Sequence, residues 1–141
     1  MAVQATLLVP AKLDDVDTAT GQLREQAAAL LGGERLDRFE IATSEALTNI
    51  VRHAYAERTG GEIAVELFET DAHSLVLVLR DNGKPAPAGT FNVKADRVCD
   101  PDDILAIPEA GWGVGLLHQC ADSVRFDSTP ERNELRLEFQ Y

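Results

Sequence analysis

Cysteine is scarce in this chain: Cys99 and Cys120 are the only two among 141 residues. They make neither a dense disulfide framework nor the paired spacing of a zinc site, and a reducing cytoplasm is the expected compartment. Long hydrophobic runs are missing as well. Nothing approaches the roughly 20 consecutive apolar residues of a membrane helix. The opening MAVQATLLVPAKLDD has no basic start followed by a long apolar stretch, so no signal peptide is expected. Positive charge is in short supply, with 13 Lys and Arg against 24 Asp and Glu and a net charge of −11. Such a surface repels phosphate backbones and argues against general nucleic-acid binding. It leaves room for a small pocket that makes its own local field, and it equally serves plain solubility.

What the sequence does contain is ordinary for a folded domain: 45% hydrophobic and 26% charged residues. The length fits a single domain over residues 1–141, with no repeat or linker to divide it. Val3, Ala5, Leu7 and Val9 alternate up to Pro10 and predict a first strand. Asp14 or Asp15 is the expected cap of a helix carrying Val16, Ala19, Leu23, Ala27 and Leu30, ended by Gly32-Gly33. A second helix carries Leu36, Phe39, Leu47, Ile50 and Ala54 and stops before Gly60-Gly61.

Ile63, Val65 and Leu67 predict a half-buried strand. The stretch SLVLVLR, Ser74 to Arg80, is apolar on both faces and therefore predicts a central one. Residues from Asp81 to about Ala110 hold four of the six prolines and read as a long excursion, with one short helical turn expected near Asp102. A glycine-rich turn then opens a short helix over Leu116 to Ala121. Val124 and Phe126 mark another strand, and Leu135, Leu137 and Phe139 the last. A tight reversal between Ser128 and Asn133 suits an antiparallel pair. The order predicts an α+β two-layer sandwich, with helices on one face of a mixed, mostly antiparallel sheet.

Three stretches could carry chemistry. In SEALTNIVRHAY, Glu45, Asn49 and His53 recur every four residues and form one polar stripe on a helix face. Ala42 and Ala46 leave room around a carboxylate that can take a proton and an amide oxygen that suits Mg2+. The same stripe would serve as a solvated face with Glu45 near Arg52, and His53 as a partner for helix-end carbonyls. In RDNGKP, Asp81 leaves a buried strand as a hydrogen-bond acceptor, and Gly83 permits close approach of a ring; DNG is also a common turn sequence. In GWGVGLL, Gly111, Gly113 and Gly115 precede a helix and could expose N–H groups to phosphate, or simply form a tight turn. That run matches neither of the common phosphate-binding glycine motifs.

The three stretches in this order resemble the GHKL ATPase superfamily and its Bergerat nucleotide-binding fold. Within it, the chain is similar to the small anti-sigma factor serine/threonine kinases of bacterial partner-switching systems. SEALTNIVRHAY is close to their N-box, RDNGKPAP to their first glycine box and GWGVGLLHQCADSV to their second. The resemblance implies ATP and Mg2+ as cofactors, with Asn49 on the metal and Glu45 as the base or positioning group for an attacking hydroxyl. It implies that Asp81 receives the adenine amine with Gly83 beneath the ring. It also implies that Gly111, Gly113, Gly115 and Leu116 flank the phosphates, under an ATP lid of about residues 84–110. Lys94 and Arg97 would be phosphate or partner contacts by charge and position.

Many relatives carry a Gly-Thr pair entering the last strand to hold the adenine-contacting Asp. Here RNEL stands at that place, so Asn133 takes the role; Trp112 fills a variable site of the second box. The implied partners are an anti-sigma-factor antagonist as phosphorylation substrate, a sigma factor or analogous regulatory target, and a second copy in a homodimer. Neither nucleic acid nor a membrane is implied. The alternative is a nucleotide-dependent protein-binding module, an anti-sigma adapter without kinase activity; Glu45 argues against it, because a pure adapter needs no such carboxylate.

Overall fold

A computed structural model describes residues 2–56, 58, 60–92 and 114–141. Five strands form one open sheet: β1 (Ala2–Pro10), β2 (Glu62–Thr70), β3 (Ser74–Asp81), β4 (Ser123–Ser128) and β5 (Asn133–Gln140), in the spatial order β1-β2-β3-β5-β4. Every described pairing is antiparallel, so the mostly antiparallel sheet expected from the sequence is wholly so among these strands. Among the described residues three α-helices accompany it: α1 (Leu13–Ala27), α2 (Gly33–Asn49) and α3 (Val114–Cys120).

β3 lies at the centre because it has no polar face to offer water. Every residue from Ser74 to Leu79 is buried, and the strand pairs with β2 on one side and β5 on the other. Leu75, Leu77 and Leu79 pack beside Val65, Leu67, Leu135 and Leu137 under the helices. α2 supplies Phe39, Ala42, Ala46 and Leu47 from above, all with no exposed surface, and Phe39 meets Phe139 of β5 edge-on at 5.1 Å. Each large side chain so buried contributes about 1.5–3 kcal/mol. The opposite face holds a second small cluster of Phe68, Val76 and Val78, with the Arg136 guanidinium 5.4 Å from the Phe68 ring centre. Arg24 joins α1 to α2 through Asp37 at 3.1 Å and Glu40 at 2.9 Å.

Some boundaries differ from the sequence reading. α1 starts at Leu13 with Lys12 as its capping residue, and no side chain caps it; Asp14 and Asp15 fall in the first turn, where they face the positive end of the helix dipole. The helix ends at Ala27, ahead of the glycine pair, because the Leu30 and Leu31 amides both close on the Ala27 carbonyl. Gly33, at φ +55°, opens α2 instead of closing α1.

α2 itself stops at Asn49 and continues as a π turn over Ile50–Ala54, closed by the Tyr55 amide on the Ile50 carbonyl five residues back. Such turns break an α-helix most often at functional positions. The polar stripe therefore runs straight from Glu45 to Asn49, and His53 lies past a change of pitch. The described part of the proline-rich excursion, residues 84–92, contains a single short 3-10 turn at Thr90–Asn92; the turn expected near Asp102 lies outside the described residues.

Candidate functional site

The ends of three neighbouring strands, the last residues of β3 and β4 and the first of β5, converge on one carboxylate. In the sheet register Asp81 of β3 faces Asn133 of β5, which in turn faces Ser128 of β4. The side chains repeat that order as a chain of hydrogen bonds. Ser128 Oγ donates to Asn133 Oδ1 at 2.7 Å, and Asn133 Nδ2 donates to Asp81 Oδ1 at 2.8 Å and to the Gly83 carbonyl at 2.9 Å. The Gly83 amide also donates to Asp81 Oδ1, at 2.9 Å. Among the described residues, both hydrogen bonds given to Asp81 thus fall on the same oxygen. Asn133 stands where the sequence reading placed a substitute for threonine, and its amide is held in one orientation by a donor on one side and two acceptors on the other.

Burial dominates the electrostatics of this carboxylate. Asp81 is 6% exposed, and desolvation raises its pKa above the usual carboxylate value, opposed by the donors from Asn133 and Gly83. A carboxylate in that position is an acceptor whose charge is poorly solvated and therefore available to a donor from a ligand.

The loop after Asp81 is fastened to the end of the π turn. A Cβ on Gly83 would fall inside van der Waals contact of the Ala54 carbonyl and 2.9 Å from the Ala54 Cβ. The close approach this glycine permits in the structure is thus that of Ala54. The Lys84 amide then donates to the Ala54 carbonyl at 2.6 Å. Tyr55, which the sequence reading passed over, adds a clip. Its hydroxyl accepts from the Asn82 amide at 3.0 Å and donates to the Glu62 carbonyl at 2.7 Å, while its ring covers Gly61. An aromatic residue immediately after a helix, before a glycine pair, was the available signal.

These links bring α2 to the Asp81 loop around a narrow cavity of about 10 Å3, the room of a single water. Ala46 and Asn49 line it from α2, Asp81 and Lys84 from β3 and its loop, and Phe126 and Asn133 from the last strands. Asn49 is 3% exposed. The structure thus gathers Asn49, Asp81 and Asn133 around one space. Glu45 is half-buried one turn earlier on α2 and does not line it. Gly115 and Leu116 lie in the first turn of α3, Gly115 buried and Leu116 half-buried. Gly111, Trp112, Gly113, Lys94 and Arg97 lie outside the described residues.

Among the described residues no group of three or more His, Cys, Asp or Glu could cage a metal. A single buried amide oxygen at Asn49 fits Mg2+ all the same, because that ion keeps several waters and takes further oxygens from substrate phosphates. Among the described residues no helix is long and apolar enough to cross a membrane.

Comparison with known proteins shows the family and the fold. The family model described as histidine kinase-like ATPase domain matches residues 9–139. Serine-protein kinase RsbW of Oceanobacillus iheyensis is 26% identical over 121 residues, covering 85% of this chain and 76% of that protein. Serine-protein kinase RsbW of Bacillus cereus is 32% identical over 90 residues, covering 64% of this chain and 55% of that protein. Among solved structures, the RsbU and RsbW domains of a Mycobacterium tuberculosis protein superpose with a TM-score of 0.65 at 18% identity, over 96% of this chain and 32% of that one. The mycobacterial sensor histidine kinase MprB gives 0.56 at 16% identity, over 94% of this chain and 97% of that one. At those identities the structural likeness is one of fold. With a family match that spans nearly the whole chain, the protein belongs to the histidine kinase-like ATPase domain family.

Proposed function

We propose that this chain is a serine/threonine protein kinase and anti-sigma factor of a bacterial partner-switching system. It transfers the γ-phosphoryl group of ATP to a Ser or Thr of a small antagonist protein. The observation that carries the reading is the Ser128–Asn133–Asp81 chain of hydrogen bonds, which presents a fixed acceptor across a cavity from the buried Asn49 amide. The Serine-protein kinase names of the curated relatives support the choice of reaction.

In this reading Asp81 accepts the exocyclic amine of adenine on Oδ2, while Asn133 and Gly83 hold Oδ1. Bound Mg2+ supplies neutralisation of phosphate charge. Asn49 offers it an amide oxygen. Gly111, Gly113, Gly115 and Leu116 flank the phosphates, and residues 84 to 110 form the lid. Glu45, one turn before Asn49 on the same helix face, takes the proton of the attacking hydroxyl. The hydroxyl oxygen forms the new bond to phosphorus as the bond to the ADP oxygen breaks. Alignment and charge neutralisation are most of what phosphoryl transfer requires.

The added phosphate brings a charge of about −1.5 to −2, enough to disrupt a docked surface and free the kinase to hold a sigma factor. The kinase works as a homodimer in the cytoplasm. Incubation with Mg-ATP and a candidate antagonist protein tests the reading: phosphoserine or phosphothreonine should appear on the antagonist. Glu45→Ala should slow the transfer by about 100-fold or more while still binding ATP. ATP binding with no transfer to any partner would favour the adapter instead.

A further inference from the structure

Phe91 is 6% exposed although it belongs to a loop, because its ring lies on that of Phe126. The ring centres are 4.8 Å apart and the planes 27° from parallel, the offset-stacked arrangement that flat aromatic groups favour. His118 Nε2 of α3 donates to the Phe91 carbonyl at 2.8 Å and fixes the backbone from which the ring projects.

The position of this ring pair matters more than its contact. On one side is the narrow space of about 10 Å3 lined by Asn49, Asp81 and Asn133; on the other is an open groove of about 650 Å3 between residues 85–90 and β4. Phe91, Phe126 and Ala86 line both, so they are the partition between them. With Phe91 seated, the space beside Asp81 is too small for a base. With Phe91 withdrawn, the two spaces join into one of the size that ligand pockets have.

We propose that the Phe91 ring is a stand-in for the base of the nucleotide. Phe126 is the platform on which the base stacks, and binding exchanges one ring for the other. The inference rests on the nucleotide reading above and adds to it two residues, one that competes with the ligand and one that holds it. A base on Phe126 would take up the same flat, apolar face now covered by Phe91 and lie beside the acceptor of Asp81. The apparent affinity is then reduced by the fraction of molecules in which Phe91 has left its seat.

Substitutions on the two sides of the stack should act with opposite sign. In calorimetry and stopped-flow measurements with Mg-ATP, Phe91→Ala should speed association and tighten Kd about tenfold or more, the factor carried by one buried ring. Phe91→Leu, which keeps an apolar side chain in the seat, should give a smaller change of the same sign. Phe126→Leu should weaken Kd about tenfold, since stacking and ring area are both lost. In the free protein, proton NMR should show contacts between the Phe91 and Phe126 rings that disappear at saturating ATP. Ring contacts that persist in the saturated protein, or a Phe91→Ala protein that binds no tighter, overturn the exchange. If neither the wild-type protein nor Phe91→Ala binds adenine nucleotides while the ring contacts are present, the nucleotide reading itself fails and the exchange with it. Those two failures are told apart by whether binding is seen at all.

Discussion

Replacing Asp81 by asparagine should separate what folds the protein from what lets it bind. The carboxylate is buried, and among the described residues both of its hydrogen bonds come from donors to Oδ1: the Gly83 amide at 2.9 Å and Asn133 Nδ2 at 2.8 Å. An asparagine side chain keeps an acceptor oxygen for both donors and puts an NH2 group where Oδ2 stood. The fold loses no hydrogen bond and is relieved of a desolvated charge.

The sign of the pH dependence follows from the raised pKa of Asp81. Between the unfolded value of 3.8 and the higher folded value, the native state holds more protons than the unfolded chain, so this group makes stability fall as pH rises. Above the folded pKa the cost of the buried charge is fully present. Asp81→Asn should remove that dependence and leave the protein as stable as wild type, or more so, at neutral pH.

Ligand binding should respond in the opposite way. A hydrogen bond to a charged acceptor contributes about 1.5–3 kcal/mol, and its loss weakens ATP binding roughly 10- to 100-fold. The substituted NH2 would also face the adenine amine, donor against donor, which places the effect at the upper end. A 6-oxo purine presents an acceptor there instead, so ITP should gain relative to ATP. Calorimetric titration with both nucleotides, alongside urea denaturation from pH 4 to 8, reads both halves. Wild-type ATP affinity in a folded Asp81→Asn protein would falsify the assignment of this carboxylate to the base.

Three further substitutions probe the supports of the site. Ser128→Ala removes the donor that fixes the Asn133 amide; it should cost about 1 kcal/mol in urea denaturation and weaken ATP binding about fivefold by calorimetry. Tyr55→Phe leaves the Asn82 amide and the Glu62 carbonyl without their shared hydroxyl, and should destabilise the fold by about 1–3 kcal/mol in the same assay. Gly83→Ala forces a methyl group against the Ala54 backbone and should destabilise by about 1–3 kcal/mol, with a loss of ATP binding that Gly83→Ser does not restore.

The sheet was legible because its residues obey one rule each. Leu135, Leu137 and Phe139 alternate with Arg136 and Glu138 and bury one face, whereas β3 is apolar on both faces from Leu75 to Leu79 and takes the centre. The three motifs could be placed because each straddles the end of an element: Asn49 at the end of α2, Asp81 at the end of β3, Gly115 at the start of α3. What escaped the sequence depends on partners far along the chain. The apolar spacing of Ile50 and Ala54 reads as continued α-helix, yet Ala54 is drawn to the Lys84 amide and the turn opens to a π turn. The Tyr55 hydroxyl bonds residues 7 and 27 positions away. Phe91 looks like any loop aromatic until the sheet places Phe126 beneath it.

Asp81 and Asn133 are 52 residues apart in the chain, yet their meeting is set by the pairing of two adjacent strands. The segment that joins them adds Gly83 and Ser128 to the same network, but the strand register is what brings the two residues face to face. Each doubling of its length would cost only about 0.6 kcal/mol in closure entropy, less than a single good hydrogen bond contributes. A change of length between residues 92 and 114 is therefore cheap for the fold, and new protein partners can be met there while the two polar residues stay face to face on paired strands.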